Sequence, residues 1–167
     1  MKSTLKLFTL LLTLFIFSCG GGESEKKEDT KVKLKKQKTE KKVEATKATK
    51  PSETIDLTNK GVGPITSITF NPEIDQAMVT KGADVYKRMC TACHKIGKKF
   101  IGPPPNGVFK RRTPEWVMNM ILNPDEMVQK DPLAKALLME FNGSPMANQN
   151  LTEEEARSVL EYFRTLK

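Results

Sequence analysis

Five consecutive residues of this chain have the types and spacing to do chemistry together: Cys90-Thr91-Ala92-Cys93-His94. On a helix, positions i, i+3 and i+4 share one face, so both thiols and the imidazole can point at a single planar group. Two thiols at that spacing followed directly by His fit covalent attachment of one haem. Cys90 and Cys93 would form thioethers to its vinyl groups while His94 coordinates the iron. Thr91 and Ala92 are small and face away.

Other uses of these residues fare worse. The chain has 3 Cys and 1 His, and the motif takes two of the Cys and the only His. A closed zinc site needs four Cys or His ligands, and no second Cys-x-x-Cys exists here to complete one. A thiol–disulfide protein would set its Cys-x-x-Cys in a βαβ context, whereas the surroundings of Cys90 read as helix and loop. That reading stays as a lesser alternative. With one His, two histidines from one chain cannot hold the iron, and Met is the common partner. Met118, Met120 and Met139 fall inside predicted helices, where core packing is the ordinary role. Met146 and Met127 fall in predicted loops and stay open as the sixth ligand.

The elements that must position these groups are helical. Ile74, Met78, Gly82, Val85, Tyr86 and Met89 recur at helical spacing and lead directly into Cys90. Thr113-Pro114 and Asp131-Pro132 each read as an N-cap followed by Pro at the first helical position. They predict helices over 115–122 and 133–141, the second stopped by Asn142-Gly143. Thr152 and Glu155 form a capping box, followed by the apolar stripe Ala156, Val159, Leu160, Phe163 and Leu166. No segment reads as a strand. The expected fold is all-α, about four helices around one covalently bound haem, in a domain spanning 71–167.

The N-terminal part has a different character. Residues 7–17 are a nearly continuous apolar run, too short for the roughly 20 helical residues that span a membrane. They read, within residues 1–18, as a secretory signal peptide. Ser18-Cys19-Gly20 resembles the lipobox of bacterial lipoproteins, and the resemblance implies lipidation of Cys19. Residues 19–53 are dominated by Lys, Glu and Thr. Between 20 and 50 there are 11 Lys against 6 acidic residues, a net +5 of the chain's +8. Such a segment buries too little apolar surface to offset its ordering entropy and reads as a disordered tether. Residues 54–70, broken by Gly61, Gly63 and Pro64, read as an extended arm over the domain surface.

Over most of 71–167 the chain resembles class I c-type cytochromes. Gly82 and Tyr86 match that family's Gly-x-x-x-aromatic helix, and Val159 and Tyr162 its C-terminal aliphatic-x-x-Tyr helix. Ile101-Gly102-Pro103 resembles its Gly-Pro turn, which implies that the Pro103 carbonyl accepts a hydrogen bond from His94. Pro104 and Pro105 extend the turn beyond the usual pattern. The family brings its axial Met from a loop shortly before the C-terminal helix, and residues 146–152, Met-Ala-Asn-Gln-Asn-Leu-Thr, match that run. The resemblance therefore favours Met146 over Met127. It also implies that Trp116 and Arg111 or Arg112 bind the haem propionates; the competing reading is a core Trp116 and solvated arginines.

The resemblance implies one haem c and single-electron shuttling, with a His/Met-ligated iron cycling between Fe(III) and Fe(II), not an enzyme. The expected protein is a monomer anchored through lipid to a bacterial membrane, facing the periplasm. A haem-based catalyst or gas sensor with a labile sixth ligand is the alternative. Between Asp84 and Glu115 there is no acidic residue but eight basic ones, among them Lys95, Lys98 and Lys99. That pattern suits a redox partner with an acidic docking surface. It lacks the interleaved aromatics of a single-strand nucleic-acid groove, so no nucleic-acid partner is expected. The stretch 116–164 resembles small lipoprotein cytochromes that serve exported terminal reductases, nitrous-oxide reductase among them, or oxidases.

Overall fold

The computed structural model describes residues 49–167. The segment read as a signal peptide, Cys19 and most of the segment read as a tether lie outside the described residues. The elements are α1 (Gln76–Val85), a π turn continuing it (Tyr86–Cys90), a 3-10 turn (Val108–Lys110), α2 (Pro114–Leu122), α3 (Pro124–Lys130), α4 (Pro132–Glu140) and α5 (Glu153–Thr165). Among the described residues there is no strand, only the isolated bridges of Asp56 with Arg112 and Lys95 with Lys98. No described helix is long and apolar enough to cross a membrane. The all-α expectation holds, with five helices in place of about four.

Local chemistry sets the helix ends. The side chains of Thr113, Asp131 and Thr152 accept from Trp116 N, Ala134 N and Glu155 N, and Thr152 with Glu155 completes the capping box. Helix α4 ends at Asn142 and Gly143, whose φ values of 60° and 72° are left-handed and suit a helix stop. The helix missing from the expectation is α3. Asn123-Pro124 closes α2 and opens α3 at once, with Pro in the first turn and Asp125 and Glu126 behind it.

The core forms where α1 crosses α5. Gly82 lies so close to α5 that a Cβ there would meet the Ser158 carbonyl oxygen at 2.0 Å. Val85, Ala156, Val159 and Leu160 are buried around that contact. Burying each of the larger aliphatic side chains contributes about 1.5–3 kcal/mol. Tyr86 packs against Tyr162 at 5.6 Å and Phe163 at 5.8 Å between ring centroids, sealing one side.

Residues 50–70 lie along α2, α3 and α4 in irregular conformation, held by polar clamps. The last residues assigned to the tether, 50–53, form a turn, and Ser52 donates through N and Oγ to the Glu140 carboxylate at 2.7 and 2.6 Å. The buried amide of Asn119 is fully used: Oδ1 accepts from Ile65 N, and Nδ2 donates to the Lys60 and Ile65 carbonyls. A glycine is required at 63, where a Cβ would sit 2.4 Å from Asn119 Oδ1 and φ is +156°.

Glu161 is 1% exposed on α5 and accepts from Arg157 at 2.8 Å, from Arg164 at 2.5 Å and from Asp75 N at 3.1 Å. Burial acts to raise its pKa, but the Arg157 bond, the Asp75 N–H and the charges of Arg164 and Arg157 together outweigh it and hold the carboxyl below its ordinary value. A carboxylate depressed in the fold stabilises above its unfolded pKa and loses that contribution as pH falls through the folded pKa. Thermal melts should therefore fall in the acid range below ordinary glutamate titration, and Glu161→Gln should flatten that limb while lowering stability at pH 7. An unchanged acid limb in the variant would contradict this.

Candidate haem site

The motif sits where α1 widens into its π turn, a geometry common at functional sites. The backbone then closes a turn over the motif, with Cys93 N and His94 N both bonding the Cys90 carbonyl at 3.1 and 2.8 Å. That turn keeps Cys90, Cys93 and His94 on one side, and all three line a single cleft. The Tyr86 hydroxyl, buried under α5, donates to the His94 carbonyl at 2.9 Å and ties the motif to the core. Burial, and to a lesser degree the neighbouring Cys93, pushes the Cys90 thiol up to about 11. A thiol–disulfide exchanger needs its attacking thiol depressed, so this environment speaks against that alternative.

His94 is oriented from behind. Its Nδ1 lies 2.8 Å from the carbonyl oxygen of Pro103, not of Pro104 or Pro105. A carbonyl can only accept, so Nδ1 carries the proton and Nε2 is left with its lone pair for a metal. The loop that delivers Pro103 is fastened to the motif by Gly102 N, which donates to the Cys93 carbonyl at 2.9 Å. Gly102 itself passes under the ring, where a Cβ would stand 2.4 Å from His94 Cε1. The sequence marks Gly102 only as part of the Gly-Pro turn and Tyr86 only as a packing aromatic; the close approach to the ring and the hydroxyl bond to the motif appear in the fold.

The cleft has a cavity volume of about 190 Å³ and is open on one side, with an apolar lining that includes Met89, Met120, Val128, Leu137 and Phe141. Met146 lines the same cleft as His94, from the irregular segment between α4 and α5. Met127 does not. It lies inside α3 rather than in a loop, is wholly buried, and its sulfur accepts from Val62 N of the arm at 3.0 Å. The missed helix is the reason, for α3 turns Met127 into the core under the arm.

The groups expected at the propionates have partners of their own within the chain. Trp116 lines the cleft, but its indole N–H donates to Asp131 Oδ1 at 3.2 Å and is therefore spent within the chain. Arg112 is 3% exposed, and its guanidinium donates to the carbonyls of Pro51, Thr54 and Arg111 while lying over the Trp116 ring at 5.3 Å. Arg111 donates to the Asn106 and Gly107 carbonyls. Neither arginine lines the cleft; both hold the arm and the 3-10 turn. Arg111 is taken up by carbonyls of its own turn, and Arg112 by its neighbour and by the Pro51 and Thr54 carbonyls of the arm, whose proximity no local pattern encodes.

The residues present fit a haem. Two thiols and a proton-fixed imidazole share one apolar cleft, a thioether enters from a separate segment, and a glycine leaves the proximal ring its room. Comparison with known proteins agrees. The cytochrome c family model matches residues 79–167. A cytochrome c from Rhodothermus marinus is 41% identical, with 61% of this chain and 87% of that chain covered and a TM-score of 0.59. An engineered form of the Rhodothermus marinus cytochrome c, bound to a carbene intermediate, is 40% identical, with 61% and 88% covered and a TM-score of 0.57. Comparison with curated proteins returns no match. The chain belongs to the cytochrome c family, and its folded domain carries covalently attached haem c and serves haem-based electron transfer.

Proposed function

We propose that this protein is a monohaem electron carrier held at a membrane by a lipid on Cys19, with His94 and Met146 as the two axial ligands. The observation that carries this reading is that His94 and Met146, from separate segments, line one cleft while Met127 is used elsewhere. When bound, the haem supplies an iron that alternates between Fe(III) and Fe(II). Cys90 and Cys93 would hold it covalently, the Pro103 carbonyl keeps the His94 proton on Nδ1 and leaves Nε2 for the iron, and the Met146 thioether would fill the position a small ligand could otherwise take. A thioether favours the ferrous state and raises the potential relative to two nitrogen ligands. With both positions held by the chain, electrons exchange while substrates do not bind, which is the behaviour of a carrier.

The partner reading rests on the loop after the motif. Ile96, Phe100 and Ile101 are 47%, 48% and 46% exposed, and Ile101 also lines the cleft, so this loop stands at its mouth. Lys95, Lys98 and Lys99 are interspersed with them along the loop; Lys95 Nζ lies 5.3 Å from the Phe100 ring centre and donates to the Thr91 carbonyl, and Lys99 Nζ donates to the Glu140 carbonyl. An apolar centre with a basic rim suits a redox partner whose own rim is acidic. The partner class is an exported terminal reductase, of which nitrous-oxide reductase is one kind, or an oxidase, supported by the resemblance of residues 116–164. The apolar run 7–17 ahead of Ser18-Cys19-Gly20 supports anchoring at the periplasmic face of a membrane.

The test is the second-order rate of electron transfer to an acidic redox protein as a function of salt. Wild type should slow steeply with ionic strength. Changing Lys95, Lys98 and Lys99 together to Glu should lower the rate by about 10-fold or more at low salt and remove most of the salt dependence. A triple variant with the wild-type salt profile would overturn the docking face.

A further inference from the structure

Asp131, the N-cap of α4, is bonded to two residues that line the cleft. It is 4% exposed at the junction of α3 and α4. An N-cap aspartate ordinarily serves only its own helix. Here Oδ1 accepts from Ala134 N at 2.7 Å, the capping bond, and also from Trp116 Nε1 at 3.2 Å. Oδ2 accepts from Asn59 Nδ2 of the arm at 2.6 Å. Trp116 and Ala134 both line the cleft, one from α2 and one from α4. One carboxylate thus joins two walls of the site and fastens both to the arm. The Asn59 carbonyl in turn accepts from Thr113 Oγ1, the N-cap of α2, so the starts of both wall helices meet at the same arm residue.

We propose that Asp131 is a positioning residue for the redox group: it locks the Trp116 indole into the cleft wall and sets a buried negative charge directly behind it. The proposal rests on the electron-carrier reading. A buried charge is poorly screened by water; the buried Arg112 guanidinium over the same Trp116 ring offsets part of the Asp131 charge, and removing the carboxylate leaves that cation uncompensated, which favours the ferrous state. Groups around a metal centre that are not themselves ligands tune its potential. Trp116 is the only Trp of the chain, so its indole N–H gives a single, assignable signal.

The experiment uses the matured holoprotein and compares wild type with Asp131→Asn and Asp131→Ser. Asn and Ser are both competent N-caps and retain the start of α4, so Ser serves if Asn fails to accumulate. Asp125→Asn, the same charge change at an exposed position on α3, is the control. In wild type the Trp116 indole N–H should exchange with solvent at least about 100-fold more slowly than in an unfolded peptide. In Asp131→Ser, whose shorter side chain withdraws the acceptor from the indole, that protection should be lost at least in part, and in both variants the midpoint potential should rise by several times the shift of Asp125→Asn. An indole N–H that exchanges freely in wild type, or a potential that moves no further than the control, overturns the proposal. The ferric sulfur–iron band in the same samples separates the two readings. Its absence from wild type overturns His94/Met146 ligation, whereas an unmoved potential with the band intact overturns the role of Asp131.

Discussion

Gly82→Ala should cost more than about 3 kcal/mol, a large share of the roughly 5–15 kcal/mol that holds a domain of this size together. The added Cβ would meet Ser158 O at 2.0 Å, Ser158 C at 2.5 Å and Val159 N at 2.9 Å. All three are backbone atoms of α5, so no side chain can rotate away, and the two helices must separate along the whole contact that buries Val85, Val159 and Leu160. Gly97→Ala is the matched control. There φ is +76° but nothing lies within 4 Å of the new atom, so only the left-handed backbone penalty of about 1–2 kcal/mol remains. Urea denaturation of both variants checks the pair. Equal losses would mean that the α1–α5 crossing is looser than described.

The second large effect falls on chemistry instead of stability. In Gly102→Ala the new methyl would stand 2.4 Å from His94 Cε1, 2.8 Å from Nδ1 and 3.0 Å from Nε2. The imidazole and the methyl cannot share that space, so the ring must tilt and give up its bond to the Pro103 carbonyl. Loss of such an orienting bond weakens ligation by about 10- to 100-fold. Because Cys90 and Cys93 hold the haem covalently, the variant should keep its haem yet show high-spin bands in the ferric spectrum and a disturbed potential. A Gly102→Ala spectrum identical to wild type would contradict the described path of residues 100–103 beneath the ring.

What the sequence reveals of this protein follows from where its information is local. The attachment motif, the capping residues Thr113, Asp131 and Thr152, and the Gly82 crossing are short patterns with one physical solution each, and the structure has helices where those patterns start them. Helix α3 escapes because its seven residues show no apolar period; its signal is the Asn123-Pro124-Asp125-Glu126 start alone. That omission left Met127 in a loop and made it a candidate ligand. Trp116, Arg111 and Arg112 show a different limit of the sequence. Their residue types suit a propionate, but their partners are Asp131 and carbonyls of residues 51, 54, 106, 107 and 111, several brought near only by the arm. An arm of irregular backbone carries no periodicity from which its path can be read. Its clamps on Asn119, Glu140 and Asp131 are long-range contacts that only the folded chain displays.

The central claim is that His94 and Met146 together hold the iron of an electron carrier. The most direct measurement is the visible spectrum of the matured protein, ferric and ferrous, for wild type and Met146→Ala. Sulfur–iron ligation gives a weak ferric band toward the red edge of the visible range. The account predicts that band in wild type and its loss in Met146→Ala, with the haem still covalently bound. A band that survives the substitution, or is missing from wild type, would contradict it.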